Sequence, residues 1–331
     1  MNYAIVGCGL VGRKRLAGLP AGSRLAVACD TNLARAEELV RLATTGHAVA
    51  ELKQALVDPG VDAVIVATVN AALAEVTAAA IRAGKHVLVE KPAAVSVREI
   101  DQLIALADRH AVCVRVGFNY RCHPAFLAAR KIFESGVMGE LMYIRARYGH
   151  GGRVGYDREW RADPKQSGGG VLIDQGIHLI DLAGWFLGPF TQAEGRATTY
   201  FWDMPVDDNA FLQLRTGRGQ TAWLHASCTE WKNLFSFEIY GRNAKLQIDG
   251  LGGSYGVERL QHHQVKPEMG APETTLHEFP GPDDSWRVEL MEFEADVRRK
   301  QVRASGLLEA RAALQVVEAI YREGGSPCPS S

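Results

Sequence analysis

The chain has 331 residues, 47% hydrophobic and 23% charged, and its 37 Lys+Arg against 38 Asp+Glu leave a formal net charge of -1. These proportions exclude a disordered or fibrous chain, and at roughly 100–200 residues per domain the length predicts two domains. A balanced charge supplies no global field to recruit nucleic acid or an anionic membrane surface.

The first apolar run starts at once in MNYAIVGCG, without a basic n-region or a small-residue cleavage site. No later run reads as a membrane span, so the expectation is a cytoplasmic protein with no membrane partner. From there the strands YAIVGC, RLAVACD, DAVIVAT, KHVLVE and VCVRVG alternate with helical patterns over 33–43, 72–83 and 97–109. Ser96 followed by Glu99 has capping-box spacing at the head of the last helix. Strand and helix alternating to about Gly117 predict an α/β fold with a doubly wound parallel sheet.

After that the texture changes: helices over 124–134 and 171–186 flank a strand at 141–148, and FLQLRT, QTAWLHASC, FSFEIYG and AKLQIDG alternate with period two, as antiparallel strands do. A Pro/Gly-rich stretch, KPEMGAPETTLHEFPGPDD, is read as a connection to closing helices over 286–300 and 307–321. The predicted domains are therefore a dinucleotide-binding domain, 1–119, and an α+β substrate domain, 120–331. Cys8, Cys29, Cys113, Cys122, Cys228 and Cys328 stand singly with no C-x-x-C pair, and are read as buried reduced thiols.

Gly7, Gly9 and Gly12, with Leu10 and Val11 between them, form G-x-G-x-x-G between a strand and a helix, where a pyrophosphate sits on a helix N-terminus. The alternative is a plain glycine-rich turn. Asp30 ends the second strand 18 positions after Gly12, where a Rossmann unit places an acid on the ribose hydroxyls. Its charge repels a 2′-phosphate, so NAD is expected in preference to NADP, although Arg35 nearby suits NADP and Asp30 can equally cap the next helix. Thr68 and Asn70 follow the next strand as polar groups on the expected cofactor path.

Glu90-Lys91-Pro92 ends a strand at the carboxyl edge of the sheet, where a lysine can polarise a carbonyl or alkoxide; the alternative is a surface lysine beside a turn proline. Asp174 and His178 stand four apart on one helix behind three glycines, the arrangement of a general base oriented by a carboxylate, or of a satisfied core histidine among surface acids. Asp181 follows three residues on, and D-x-x-x-H-x-x-D has no further ligand to make a metal site, so none is expected. Tyr156, Arg158, Trp160, Arg161 and Lys165 combine aromatic faces for sugar rings with cations for phosphate, or form a packed surface loop; Asn119, Tyr120 and Arg121 at the domain junction are balanced the same way.

The G-C-G-L-V-G turn, E-K-P, G-F-N-Y-R-C-H-P and G-G-G-x-L-x-D-x-G-x-H-x-I-D occur in this order and together resemble the Gfo/Idh/MocA family of NAD(P)-dependent sugar and polyol oxidoreductases. The resemblance covers essentially the whole chain. It implies an N-terminal Rossmann domain and a C-terminal α+β domain whose open, mainly antiparallel sheet supports a homodimer or homotetramer. It further implies that Lys91 is the catalytic lysine beside the nicotinamide, that Asp174 and His178 are the acid–base pair, and that these groups reach the reacting carbon from two domains.

Gly7, Gly9, Leu10, Val11, Gly12, Asp30, Thr68, Asn70, Glu90 and Lys91 then contact the cofactor, and Lys91, Asn119, Arg121, Tyr156, Trp160, Arg161, Asp174 and His178 the substrate. Where many members read T-P-N-x-x-H, this chain has Thr68-Val69-Asn70-Ala71-Ala72-Leu73, without the proline and the histidine. CTEWKN and FSFEIYGR are similar to members from bacterial surface-polysaccharide pathways, which implies a sugar or nucleotide-sugar substrate. The expected reaction is hydride transfer between nicotinamide and a secondary alcohol or ketone; the alternatives are a redox-neutral epimerase or glycosidase-type enzyme holding NAD tightly, and a non-catalytic NAD(H)-binding regulator.

Overall fold

The computed structural model describes residues 1–302 and 305–323, so Cys328 lies outside the described residues. The chain opens with β1 (Asn2–Val6), α1 (Leu10–Ala17), β2 (Arg24–Cys29), α2 (Leu33–Ala43), β3 (His47–Val49), α3 (Leu52–Val57), β4 (Ala63–Val66), α4 (Asn70–Arg82), β5 (His86–Glu90), α5 (Val97–His110) and β6 (Val114–Gly117). The strands form a six-stranded parallel sheet in the order β3-β2-β1-β4-β5-β6. Every residue of β4 is buried, as expected of a parallel strand covered on both faces, which is why it reads as an unbroken Ala-Val-Ile-Val run. At the head of α5 the Ser96 hydroxyl accepts the Glu99 N–H at 3.3 Å, while Glu99 accepts the N–H of Val95 at 3.0 Å, one residue earlier than the capping box predicts. The β3–α3 pair was not anticipated, because three residues are too few to show a period.

The chain continues with α6 (Pro124–Glu134), β7 (Leu141–Gly149), α7 (Pro164–Ser167), a π-helical turn over Leu172–Gly176 that leads into α8 (Ile177–Leu187), and then β8 (Phe190–Thr198), β9 (Asn209–Thr216), β10 (Thr221–Ser227), β11 (Leu234–Gly241), β12 (Ala244–Asp249), β13 (Glu258–Gln264) and β14 (Glu273–Phe279). Eight strands lie in the order β14-β13-β12-β11-β7-β10-β9-β8. Only β7 and β10 run parallel, so the sheet is open and mainly antiparallel. The stretch taken as a Pro/Gly-rich connection contains β14, an edge strand with six of its seven residues exposed and hence no buried face to reveal alternation. The helical run Pro164–Leu187 is long and apolar enough to cross a membrane by composition, contrary to the sequence expectation; 83% of its apolar window is buried inside the protein, as in a core helix.

Two helices, α9 (Ser285–Arg299) and α10 (Leu307–Glu323), close the described chain. The fold divides into two compact units, Met1–Asn119 together with Asp284–Arg311, and Tyr120–Asp283 together with the chain from Ala312 on. The assignment of everything after residue 119 to the second domain is thus corrected for 284–311. The cause is apolar: Leu290 and Phe293 of α9 are fully buried in one cluster with Tyr3, Ile5, Leu25 and Leu39. Cys8, Cys29, Cys113, Cys122 and Cys228 are all free and buried. Burial pushes the thiols of Cys8 and Cys228 up to about 12, which keeps them inert near neutral pH.

Candidate active site

In the first unit the strand order reverses between β1 and β4, the switch point at which open α/β sheets bind ligands beyond the strand carboxyl ends. The glycine turn begins there. Gly7 has φ +94° and lies so close to the neighbouring loop that a Cβ would stand 2.4 Å from the Ala67 carbonyl oxygen. At Gly12 a Cβ would stand 2.1 Å from the carbonyl oxygen of Gly7, so these two glycines are required by the turn itself. Gly9 differs: nothing lies within 4 Å of a Cβ built there, and Gly9 caps α1 without any side-chain hydrogen bond. The first N–H groups of α1, those of Leu10 and Val11 among them, have no partner within the helix and no side-chain cap at Gly9, a donor set that fits a pyrophosphate. Gly9→Val is expected to leave the melting temperature of the ligand-free protein unchanged while weakening NADH at least roughly tenfold by fluorescence titration; unchanged affinity would place the cofactor elsewhere.

Locally, one Asp30 carboxylate oxygen accepts the Cys8 N–H at 2.8 Å, tying β2 to the glycine turn, and the other accepts the Asn32 N–H at 2.9 Å, at the residue that opens α2. Thr68 and Asn70 stand after β4, where Thr68 donates to the Val69 carbonyl at 3.3 Å and Asn70 is buried in the first turn of α4. Lys91 follows β5, and its bond to Pro92 is cis. The preceding Glu90 is turned inward, accepting the Nε of the fully buried Arg15 at 2.6 Å, while Arg15 Nη1 reaches Glu289 at 2.6 Å. Asn119 is also held inside its unit, donating to Ser285 at 2.9 Å.

In the second unit, two of the three glycines before the π-helical turn have a steric explanation, and the third, Gly168, ends α7 with φ +74°. A Cβ at Gly170 would lie 2.0 Å from the Asp207 carbonyl oxygen, and one at Gly169 would lie 2.3 Å from the Tyr321 hydroxyl. The fully buried Asp207 carboxylate accepts the N–H groups of Gly170 and Leu172 at 2.9 and 2.8 Å and the Tyr321 hydroxyl at 2.8 Å. Burial raises its pKa while these three bonds pull it down. This capping fixes the start of the segment that carries Asp174 and His178.

His178 is buried, and the ring of Tyr120 stacks on its imidazole with centroids 4.1 Å apart and planes 13° apart. The Tyr120 hydroxyl hydrogen-bonds that of Tyr148, whose ring stands edge-on to His178 at 6.4 Å, and Tyr255 packs against Tyr148 at 5.6 Å. Burial holds the phenols of Tyr120 and Tyr148 above their ordinary range, so they remain protonated donors. Asp174 is half-buried and receives the Nε of Arg161 at 3.3 Å; Arg161 in turn stacks on Trp160 at 4.6 Å.

The structure thus groups Asp174, His178, Trp160 and Arg161 in the second unit. The buried Arg121 guanidinium makes a bidentate pair with Asp181 of α8, at 2.8 and 2.6 Å. Tyr156 is likewise buried, beside Cys228. Tyr148, Tyr255 and His150 were missed by sequence reasoning; the period-two pattern of β7 marks Tyr148 as inward-facing, but nothing local singles out the other two. Among the described residues no cluster of three or more His, Cys, Asp or Glu could hold a metal ion.

Two family models match the chain, one described as "Oxidoreductase family, NAD-binding Rossmann fold" over residues 1–118 and one as "GFO/IDH/MocA C-terminal domain" over 126–247. A levoglucosan dehydrogenase of Pseudarthrobacter phenanthrenivorans is 30% identical over 204 residues, 58% of this chain and 50% of that protein, so the match spans half the length of that relative. The NAD-dependent scyllo-inositol 2-dehydrogenase of Bacillus subtilis is 27% identical over 276 residues, 80% of this chain and 76% of its own. Among solved structures, a levoglucosan dehydrogenase in complex with NADH has a TM-score of 0.87 at 21% identity, covering 98% of this chain and 97% of that one, which establishes the likeness of fold.

Proposed function

The chain belongs to the GFO/IDH/MocA family of oxidoreductases with an NAD-binding Rossmann domain, and from that premise we propose that it moves a hydride between NAD and a secondary alcohol of a sugar, free or carried on a nucleotide. The observation that carries this reading is the buried His178, stacked on Tyr120 and one helical step from Asp174. NAD, when bound, supplies the hydride acceptor. The glycine turn and the bare N-terminus of α1 hold its pyrophosphate, and Asp30 faces the ribose hydroxyls with a charge that disfavours a 2′-phosphate.

The remaining chemistry belongs to the side chains. His178 takes the hydroxyl proton as general base; the Tyr120 face favours the imidazolium that results, and Asp174 adds a negative charge on the same side. Lys91 stabilises the oxygen as negative charge develops on it. Trp160 and Arg161 present a ring face and a cation fork for the sugar and any phosphate it carries.

The test is to titrate the protein with NADH and NADPH, then to follow NAD reduction with glucose, myo-inositol, levoglucosan and UDP-glucose. NADH binding tighter than NADPH, with turnover on one member of the panel, is the expected result. Binding without turnover on any alcohol, and without any substrate-dependent exchange, would leave a non-catalytic NAD(H) binder; turnover without net reduction would make the enzyme redox-neutral.

A further inference from the structure

Two tracks of side chains lead outward from Asp174 within the second unit. One is aromatic. His150, which feels the charge of Asp174, meets Tyr156 at 5.4 Å between ring centroids; Tyr156 meets Trp202 at 5.5 Å, Trp202 meets Phe201 at 5.2 Å, and Phe201 meets Trp231 at 5.3 Å. The other is charged, running from Asp174 to Arg161 at 3.3 Å, from Arg161 to Glu159 at 3.8 Å and from Glu159 to Arg153 at 2.7 Å. The aromatic track ends in the open: Phe201 is 56% exposed and Trp231 is 81% exposed.

This display is built. The fully buried Asp208 carboxylate accepts the N–H groups of Tyr200, Phe201 and Trp202 at 2.9, 2.7 and 3.0 Å, and the Trp202 indole donates to the Cys228 carbonyl at 2.9 Å. Trp231 has φ +61°, a left-handed conformation that a bulky side chain rarely adopts. Gly151 and Gly152 make the room: a Cβ at Gly152 would lie 2.3 Å from the Trp202 ring, and one at Gly151 would lie 3.0 Å from the Trp231 backbone. With the neighbouring Tyr200, 69% exposed, the three rings offer about 450–750 Å² even if wholly covered, short of the about 800 Å² a stable protein partner buries on each side. The pair of Phe201 and Trp231, with ring centroids 5.3 Å apart, suits one sugar ring, which stacks on an aromatic face.

Resting on the dehydrogenase reading above, we propose that Phe201 and Trp231 form a second saccharide subsite, so that the substrate is a glycoside of at least two rings. Trp231→Ala and, separately, Phe201→Ala are to be compared with the wild type by calorimetric binding of glucose, cellobiose, maltose and gentiobiose to the NADH-loaded protein, alongside NAD reduction with the same sugars. One disaccharide is expected to bind the wild type better than glucose and to lose roughly tenfold in Trp231→Ala, with glucose unchanged. Equal effects on glucose and disaccharide, no effect of either variant, or a changed oligomeric mass with unaltered sugar binding would overturn the subsite. A disaccharide bound through Trp231 but never oxidised would sink the dehydrogenase reading and keep the subsite; oxidation of monosaccharides, with Trp231→Ala indifferent to every sugar, would do the reverse.

Discussion

His178→Ala is expected to lower kcat by roughly 100-fold or more, the scale of a lost general base, while NADH affinity stays within a factor of about two. The separation follows from where the groups stand in the fold. The glycine turn, Asp30 and the residues after β4 and β5 belong to the first compact unit, and His178 belongs to the second. Removing the imidazole leaves the Tyr120–Tyr148 hydrogen bond and the Asp207 cap on Gly170 in place, so the helix that carried it keeps its start. The pH–rate profile gives a second readout, since the limb set by the base is expected to disappear from the residual activity. Steady-state kinetics showing near-normal turnover would remove His178 from this role.

Arg15→Met is expected to cost about 3–5 kcal/mol of stability, the range for breaking a buried ion pair by removing one partner. Methionine keeps much of the stem and the helix propensity of α1, but it leaves Glu90 and Glu289 buried without their shared cation, and Trp286 without the guanidinium 4.5 Å from its ring. The deficit should depend on pH. Burial pushes the Glu289 carboxyl above its ordinary value while Arg15 and Arg115 pull it back, so losing Arg15 raises it further. A carboxyl whose native pKa exceeds its unfolded one holds its proton better in the folded state; stability is retained below the unfolded pKa and lost as pH rises through the native one. Urea unfolding is therefore expected to show a smaller deficit near about pH 5 than near about pH 8. Equal stability of variant and wild type at both would mean that the buried pair contributes nothing.

Much of this was legible because it is local. The limits of α2 and α6 follow from apolar spacing, and the pairing of Ser96 with Glu99 follows from two residue types three apart. The glycines of the turn could be listed from sequence, but their division into two that the fold requires and one facing open space depends on what lies opposite them, from Ala67 to nothing at all. Nothing in the sequence separates Arg15 from its neighbours Arg13 and Lys14, and only the return of Glu289 from 274 residues away shows that it is buried. Asp207 and Asp208 carry no local signal in the sequence; in the structure one caps the 170–172 segment and the other gathers the backbone of 200–202. Arg121 reads equally well as a ligand or a structural group, and its bidentate partner Asp181, 60 residues away in sequence, could not be paired with it from local pattern.

The return of α9 to the first sheet also bears on how the protein is made. When the ribosome has delivered residues 1–119, the parallel sheet has all six strands but lacks Leu290 and Phe293 from its apolar cluster and Glu289 from its buried cation. Arg15 must then wait beside Glu90, with part of the nascent sheet uncovered, until the whole of 120–283 has been translated. The dinucleotide-binding unit is thus first in the gene order and among the last to be completed, and a chain stalled or truncated before residue 285 would present to chaperones and proteases a sheet whose core is unfinished.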